Sequence, residues 1–282
     1  MSLLPFSDNL KNDNFVSDRE DTNFMKKSIK LIFLLPVLLL GACSPRNFNL
    51  TLMTYNVGIF GKYMEDSSED IASLVNSLDV DAVALNELDS CNRRHNVYQA
   101  EKFALKSGGR DYAYSGSIRF AGGSYGNAIV TRDSILHEEK MVLPMSDGDE
   151  KRSLLLVETE KYIIACTHLD HKGKQARSDQ MRFVDSWIRE KYGNSDKPVF
   201  LCGDLNSTPD SPVVKELLGH WTLLSSREYS WPSKVPVKCL DYILCLNPDR
   251  VENIRSVRIS KRKNLSQYSD HLPKIVRMKI KE

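Results

Sequence analysis

The chain has 282 residues, of which 41% are hydrophobic and 27% charged, an ordinary balance for a globular protein. Thirty-nine Lys and Arg against 37 Asp and Glu leave a formal charge of +2, too small to argue for a nucleic-acid or anionic-surface binder. The length admits one large α/β domain or two small ones. No internal repeat, low-complexity tract or long Gly/Ser/Pro linker divides the chain after residue 50, so a single domain over 44–282 is expected.

Ahead of that domain, residues 1–24 are polar and lack signal character; they read as an extension from an upstream start codon, with Met25 the natural start. Residues 25–43 have a different composition. Met25-Lys26-Lys27-Ser28-Ile29-Lys30 is basic, Leu31 to Leu40 is apolar except for Pro36, and Leu40-Gly41-Ala42-Cys43 follows. The apolar run is too short to span a bilayer of about 30 Å and suits the core of a signal peptide. Its Leu-Gly-Ala-Cys ending resembles a bacterial lipobox, which implies acylation of Cys43 and an exported lipoprotein held at a membrane of the cell envelope. The alternative is an ordinary signal peptide with an incidental cysteine. Cys91, Cys166, Cys202, Cys239 and Cys245 remain. Their odd number and unclustered spacing argue against a disulfide framework, and without Cys-x-x-Cys a structural zinc site is not expected.

Asn49 to Tyr55 alternates polar and apolar residues and predicts a strand. Asp66 with Glu69 resembles a helix cap ahead of an apolar stripe, Ile71, Leu74, Val75 and Leu78. Val80 to Leu85 predicts a buried strand ending at Glu87, and Val97 to Leu105 a helix. Short strands are expected around 112–114, 128–131, 135–142 and 153–158, then 162–167 ending at His168. After Gly173 comes a long helix with Met181, Val184, Trp187 and Ile188 on one face. Val199 to Cys202 predicts another buried strand, a short helix follows the Pro209–Pro212 turn, and the tail predicts strands at 239–245, 251–259 and 272–280. Helices between early strands and hairpin-like strands later predict mixed sheets with outer helices.

Polar residues recur at the ends of these runs: Tyr55-Asn56, Asn86-Glu87, Thr167-His168-Leu169-Asp170, Gly203-Asp204-Leu205-Asn206, Leu240-Asp241-Tyr242 and Ser269-Asp270-His271. Asn, Asp, Glu and His converging from several strand ends is what metal-assisted attack on a phosphate ester requires. Glu87 suits a magnesium ligand, since Mg²⁺ takes oxygen donors and often only one or two carboxylates; alone it could equally cap a loop. Asp204 and Asn206, two residues apart, would face one side of an extended backbone. An ionised Asp can take a proton from water, and an Asn amide can donate to a phosphoryl oxygen; an Asx-turn is the alternative. His271 could donate to phosphate, with Asp241, otherwise an isolated acid in an apolar strand, as its partner. His168 and Asn56 are ambiguous alone. Asn127 in Tyr125-Gly126-Asn127-Ala128 binds substrate or stabilises a turn, and Arg177 shapes a pocket with Asp170 and His171 or pairs across a helix start.

Together, from about Leu50 to the C-terminus, these segments resemble the endonuclease/exonuclease/phosphatase superfamily of magnesium-dependent phosphoesterases. The resemblance implies a DNase I-like four-layer sandwich, an α/β fold with two face-to-face mixed β-sheets flanked by helices. It implies Glu87 as main metal ligand with Asn56 and Asp270 near the metal, Mg²⁺ (Mn²⁺ as substitute) as cofactor, and Asp204 activating water beside Asn206. His168 and His271 would contact the scissile phosphate, Asp241 would support His271, and Asn127 would lie near the substrate. Two positions depart from the family: Asn86 stands where Gln is frequent, and Gly58 where the apurinic endonuclease branch has Asp, which together with export counts against DNA repair.

The function expected is hydrolysis of a phosphodiester or phosphomonoester of unassigned class by a monomer with no stable nucleic-acid partner. A calcineurin-like metallophosphatase would need a second Asp two residues past Leu205 and a Gly-Asn-His segment, both absent. The non-enzymatic alternative is a lipid-anchored binding protein that keeps the fold without catalysis. The basic residues Arg250, Arg255, Arg258, Lys261, Arg262 and Lys263 read as a solvated edge rather than a nucleic-acid surface. Tyr229-Ser230-Trp231-Pro232 reads as an aromatic wall for substrate or as loop packing.

Overall fold

The computed structural model describes residues 47–257 and 264–281. Residues 1–46, with the signal segment and Cys43, lie outside the described residues, as do Arg258, Lys261, Arg262 and Lys263 of the basic stretch.

The elements run β1 (Phe48–Asn56), α1 (Ser68–Ser77), β2 (Ala82–Ser90), α2 (Gln99–Lys106), β3 (Asp111–Phe120), β4 (Gly123–Thr131), β5 (His137–Val142), β6 (Ser153–Glu158), β7 (Ile163–His168), α3 (Lys174–Tyr192), β8 (Val199–Asp204), α4 (Pro212–Leu217), β9 (Thr222–Leu223), β10 (Asp241–Cys245), β11 (Val251–Ser256), α5 (Leu265–Tyr268) and β12 (Lys274–Ile280). They form two six-stranded sheets, ordered β11-β12-β1-β2-β4-β3 and β5-β6-β7-β8-β10-β9. Each sheet is built around one parallel pair, β1–β2 and β7–β8, with antiparallel strands on either side.

Alternation along the strands separates three apolar layers. Leu50, Leu52, Ala82, Ala84, Val276 and Met278 of the first sheet meet Leu155, Val157, Ile164, Cys166, Phe200, Cys202 and Ile243 of the second. The odd-numbered partners on β1 and β2, Met53, Tyr55, Val83 and Leu85, instead pack with Ile71, Val75 and Phe103 of α1 and α2. On the far side, Ile163, Ala165, Val199 and Leu201 pack with Met181, Val184 and Ile188 of α3 and Val214 of α4. The result is the expected four-layer α/β sandwich. The two central parallel strands of each sheet are apolar on both faces because a sheet or helix covers each one.

Most expected elements are present, with shifted ends. Ser67, not Asp66, is the N-cap residue of α1; Asp66 stands one position earlier, its Oδ1 accepting from the Ser68 amide at 2.9 Å. The β3–β4 hairpin is longer than expected. Its tip carries Gly116, Gly123, Ser124 and Gly126, which have weak strand propensity; pairing with β2 on the other edge of β4 overrides it. Gly126 is required there, since an added Cβ would sit 1.9 Å from the Ser115 carbonyl oxygen. The two-residue β9 and the single-turn α5 carry too little periodicity to be read from sequence.

Gly203 is the tightest point near the site. Its φ is +138°, and a Cβ would lie 1.9 Å from the Thr167 carbonyl oxygen on the neighbouring strand. Gly203→Ala therefore forces β7 and β8 apart, and its unfolding free energy in urea is expected to fall by more than about 3 kcal/mol. A loss below about 1 kcal/mol would show that the strands yield there without difficulty.

Candidate active site

The parallel pairs of both sheets end at the same rim of the sandwich. Asn56 closes β1 opposite Asn86 on β2, and His168 closes β7 opposite Asp204 on β8. Asp241 opens β10 directly across from Asp204. Asp270 and His271 precede β12, and their loop is tied to β1 by the Ser269 hydroxyl, which donates to the Asn56 carbonyl at 2.6 Å and accepts from the His271 amide at 3.2 Å. Glu87 sits at a bulge where the β2–β4 register shifts, with φ +64°. The bulge turns its side chain toward the rim instead of continuing the alternation. A cleft of about 580 Å³ opens over these groups, lined by Glu87, His168, Asp204, Asn206, Asp270 and His271 among others.

The floor is an acid–imidazole–acid row. His271 Nδ1 is 2.9 Å from Asp241 Oδ2, and its Nε2 is 3.5 Å from Asp204 Oδ2. Burial alone would lower the His271 pKa, but the carboxylates of Asp241 and Asp204 outweigh it and push it up to about 10. Asp204 is 1% exposed. Desolvation raises it to about 7, against the attraction of the His271 charge and with further repulsion from Asp241. His168, 3.5 Å from Asp204, is held well below its ordinary value, first by burial and then by the charges of Arg152, His271 and His171. It faces the amide nitrogen of Asn206 at 3.0 Å, which assigns Nε2 as acceptor and leaves this ring neutral beside a charged one. Asp204 thus titrates near neutrality next to a permanent proton donor, the environment of a general base.

Three further carboxylate-rich contacts bear on a metal. Glu87 Oε1 accepts from Asn56 Nδ2 at 3.0 Å, and the same nitrogen is 3.3 Å from Asp204 Oδ2. Asn56 Oδ1 is taken by the Gly58 amide at 3.2 Å. Asn56 therefore faces the site with its NH₂ group and orients the two acids; its oxygen is not presented as a ligand. Asp270 pairs with Lys62 at 3.1 Å, and Lys62 is raised because Asp270, with a lesser contribution from Glu87, outweighs its desolvation. Glu87 and Asp270 thus draw a cation to the cleft with hard oxygen donors, which fits Mg²⁺. Asp204, Asp241 and His271 also lie close enough to hold an ion. That trio already carries its own positive charge on His271, and a protonated imidazole cannot ligate. Asp241 Oδ1 is left buried without a partner among the described residues.

Not every expected residue reaches the cleft. Asn127 is 1% exposed, accepts from Asn86 Nδ2 at 2.9 Å and donates to the Ser153 carbonyl at 3.2 Å, so it ties the two sheets together beneath the site and does not line it. Asn206 lies in the cleft in an Asx-turn, its amide N–H donating to Asp204 Oδ1 at 2.8 Å. Its side-chain nitrogen is committed to His168 and, at 2.9 Å, to the Leu169 carbonyl. Arg177 lines the cleft and donates to the Asp170 carbonyl at 3.0 Å. Asp170 itself is buried as a turn-former for the Lys172 and Gly173 amides.

Sequence reasoning gave no site role to three residues, Asn86, Tyr125 and Arg152. Asn86, noted only beside Glu87 at a strand end and as a departure from the family, donates to the Thr167 carbonyl at 3.1 Å and accepts from the Asp204 amide at 3.0 Å, which locks the base's backbone to the opposite sheet. Tyr125 and Arg152 also line the cleft. The sole signal for Arg152 was a basic residue immediately before an apolar strand.

Asp241→Asn removes the strongest positive influence on His271. The alkaline limb of the pH–kcat/KM profile, expected toward about 10, should move down by roughly one to three units. An unmoved limb in the variant would assign that ionisation elsewhere.

The chain belongs to the endonuclease/exonuclease/phosphatase family, whose model matches residues 53–271. An uncharacterised protein of Escherichia coli, YbhP, is 26% identical over 150 residues, spanning 49% of this chain and 58% of that relative's length. A family member from Bacteroides thetaiotaomicron superposes with TM-score 0.66 at 18% identity, covering 84% of this chain and 97% of that one. A mannosyl-6-phosphatase from the same organism gives TM-score 0.66 at 18% identity, over 81% and 99%.

Proposed function

We propose that the protein is a metal-dependent phosphoesterase. The observation that carries the reading is the buried Asp204 carboxylate, set between the His271 imidazolium and neutral His168 at 3.5 Å from each, under a cleft that Glu87 and Asp270 line. Family membership and the fold shared with a phosphatase support it.

Asp204 takes the proton from a water positioned in line with the phosphorus, its ordinary acidity weakened by burial so that it works near neutral pH. His271 donates from Nε2 to a phosphoryl oxygen as negative charge gathers there, while Asp241 fixes the ring and keeps it charged. Asn56 holds Glu87 and Asp204 in mutual register. Glu87 and Asp270 would hold Mg²⁺, which when bound supplies charge neutralisation at the phosphate. Catalysis is then mainly positioning and electrostatic stabilisation.

The reading extends to an exported monomer anchored through a lipid on Cys43, the export and anchoring supported by the sequence of residues 25–43. The test is hydrolysis of a panel of DNA, sphingomyelin, inositol phosphates and nitrophenyl phosphoesters with Mg²⁺ or Mn²⁺, with EDTA as control. Metal-dependent, EDTA-sensitive turnover of one class is expected. Metal binding without hydrolysis of any member would turn the reading toward a binding protein.

A further inference from the structure

Arg152 stands just before β6 and is 3% exposed, yet it lines the cleft. Among the described residues its two polar contacts run through Nη2: to Glu150 Oε2 at 3.0 Å and to His171 Nδ1 at 3.3 Å. Its Nε is buried with no acceptor among the described residues. A guanidinium carries five N–H donors and cannot shed its proton, so this one, though paired with Glu150, keeps a buried donor unused. Its one carboxylate neighbour, Glu150, is 39% exposed and so screened by water. The contact to His171 assigns Nδ1 of that ring as acceptor and Nε2 as a donor. Arg152 is also close enough to His168 to depress it and to Tyr125 to oppose the influence of Glu87 there. Arg152 therefore lines the same cleft as His168, His171 and Glu87, where a phosphate would sit.

A phosphomonoester differs from a diester in one respect that this wall can read. Where the diester has a second carbon-linked oxygen, the monoester has one more anionic oxygen, and its dianion carries twice the charge. The floor offers His271 to one oxygen, and the Glu87–Asp270 side faces another. Resting on the phosphoesterase reading above, we propose that Arg152 is the anchor for the additional anionic oxygen of a terminal phosphate, and that the substrate is a phosphomonoester. Glu150 holds the guanidinium in place when the cleft is empty and competes with that oxygen when it is filled.

The two residues then act in opposite directions, which a structural ion pair would not do. The probes are p-nitrophenyl phosphate as monoester, bis(p-nitrophenyl) phosphate as diester, and inorganic phosphate measured calorimetrically on the Mg²⁺-supplemented protein. Arg152→Met is expected to lower monoester kcat/KM roughly a hundredfold and weaken inorganic phosphate at least about tenfold, while diester turnover changes by less than about threefold. Glu150→Gln is expected to tighten inorganic phosphate. Equal losses on both esters in Arg152→Met, or weaker phosphate binding in both variants, would overturn the proposal and leave the pair structural. Wild-type turnover of the diester alone, indifferent to Arg152, would overturn it while the phosphoesterase reading stands. Phosphate binding that depends on Arg152 without turnover of either ester would keep the anchor and remove the enzyme.

Discussion

Asp204→Asn is expected to lose kcat by about three orders of magnitude, within the range measured when a general base is removed, while the protein folds as well as before or better. The second half of that expectation follows from the site's electrostatics. Burial and the nearby Asp241 raise this carboxyl to about 7 in the folded state, so its ionised form opposes folding. Since the folded value lies above the unfolded one, the penalty is absent at low pH, grows as pH rises past the ordinary carboxylate value, and is complete above about 7. A shift of that size corresponds to something on the order of 4 kcal/mol at most. An amide at the same position carries no such charge penalty; its one oxygen serves the Asn206 N–H now bound at Oδ1, and the contact of Asn56 Nδ2 to Oδ2 is given up. The stability gain of the variant should therefore be larger at pH 8 than at pH 4. Turnover near the wild-type value in folded Asp204→Asn protein would end the base assignment. A variant equally destabilised at both pH values would show that packing, not charge, governs the position.

Glu87→Gln is expected to separate metal binding from folding. The carboxylate is half of the oxygen pair that draws Lys62 toward the cleft, and its backbone is fixed by the β2 bulge, so the neutral side chain occupies the same place. With a hundredfold excess of Mg²⁺ over its dissociation constant, binding to the folded state alone adds about 2.7 kcal/mol. For a domain of this size that is a rise in Tm of roughly 5–10 °C. The variant should lose most of that metal-dependent rise and at least about a hundredfold in kcat, with its Tm in EDTA close to that of the unaltered protein. A full metal-dependent rise in Glu87→Gln would move the ion elsewhere, with Asp204, Asp241 and His271 the next candidate set.

The residues that were legible in the sequence share one property: each interrupts an apolar run. His168, Asp204 and Asp241 are polar at the ends of strands buried on both faces and Glu87 at a bulge within one, where burial demands a reason for every charge. The same logic misplaced Asn127. It shares the face of Ile129, which points into the layer between the sheets, so its amide is spent on Asn86 and the Ser153 carbonyl below the cleft. Only the stacking of one sheet on the other decides whether such a side chain meets solvent or a neighbouring strand. Asn56 was found, but its role depends on which way its amide turns, and the Gly58 N–H settles that. Arg152 was missed because it lies in an irregular segment, where no periodicity ties residue type to facing direction.

The pairing of β1 with β12 joins Phe48 to Ile280 and Thr54 to Lys274, so the first strand of the domain waits for the last. During synthesis one margin of β1 stays open until residues 274–280 have left the ribosome, and the loop carrying His271 is placed only then. Completion of this sheet is thus a late, long-range event, of the kind that slows folding and leaves the nascent chain receptive to carriers and chaperones.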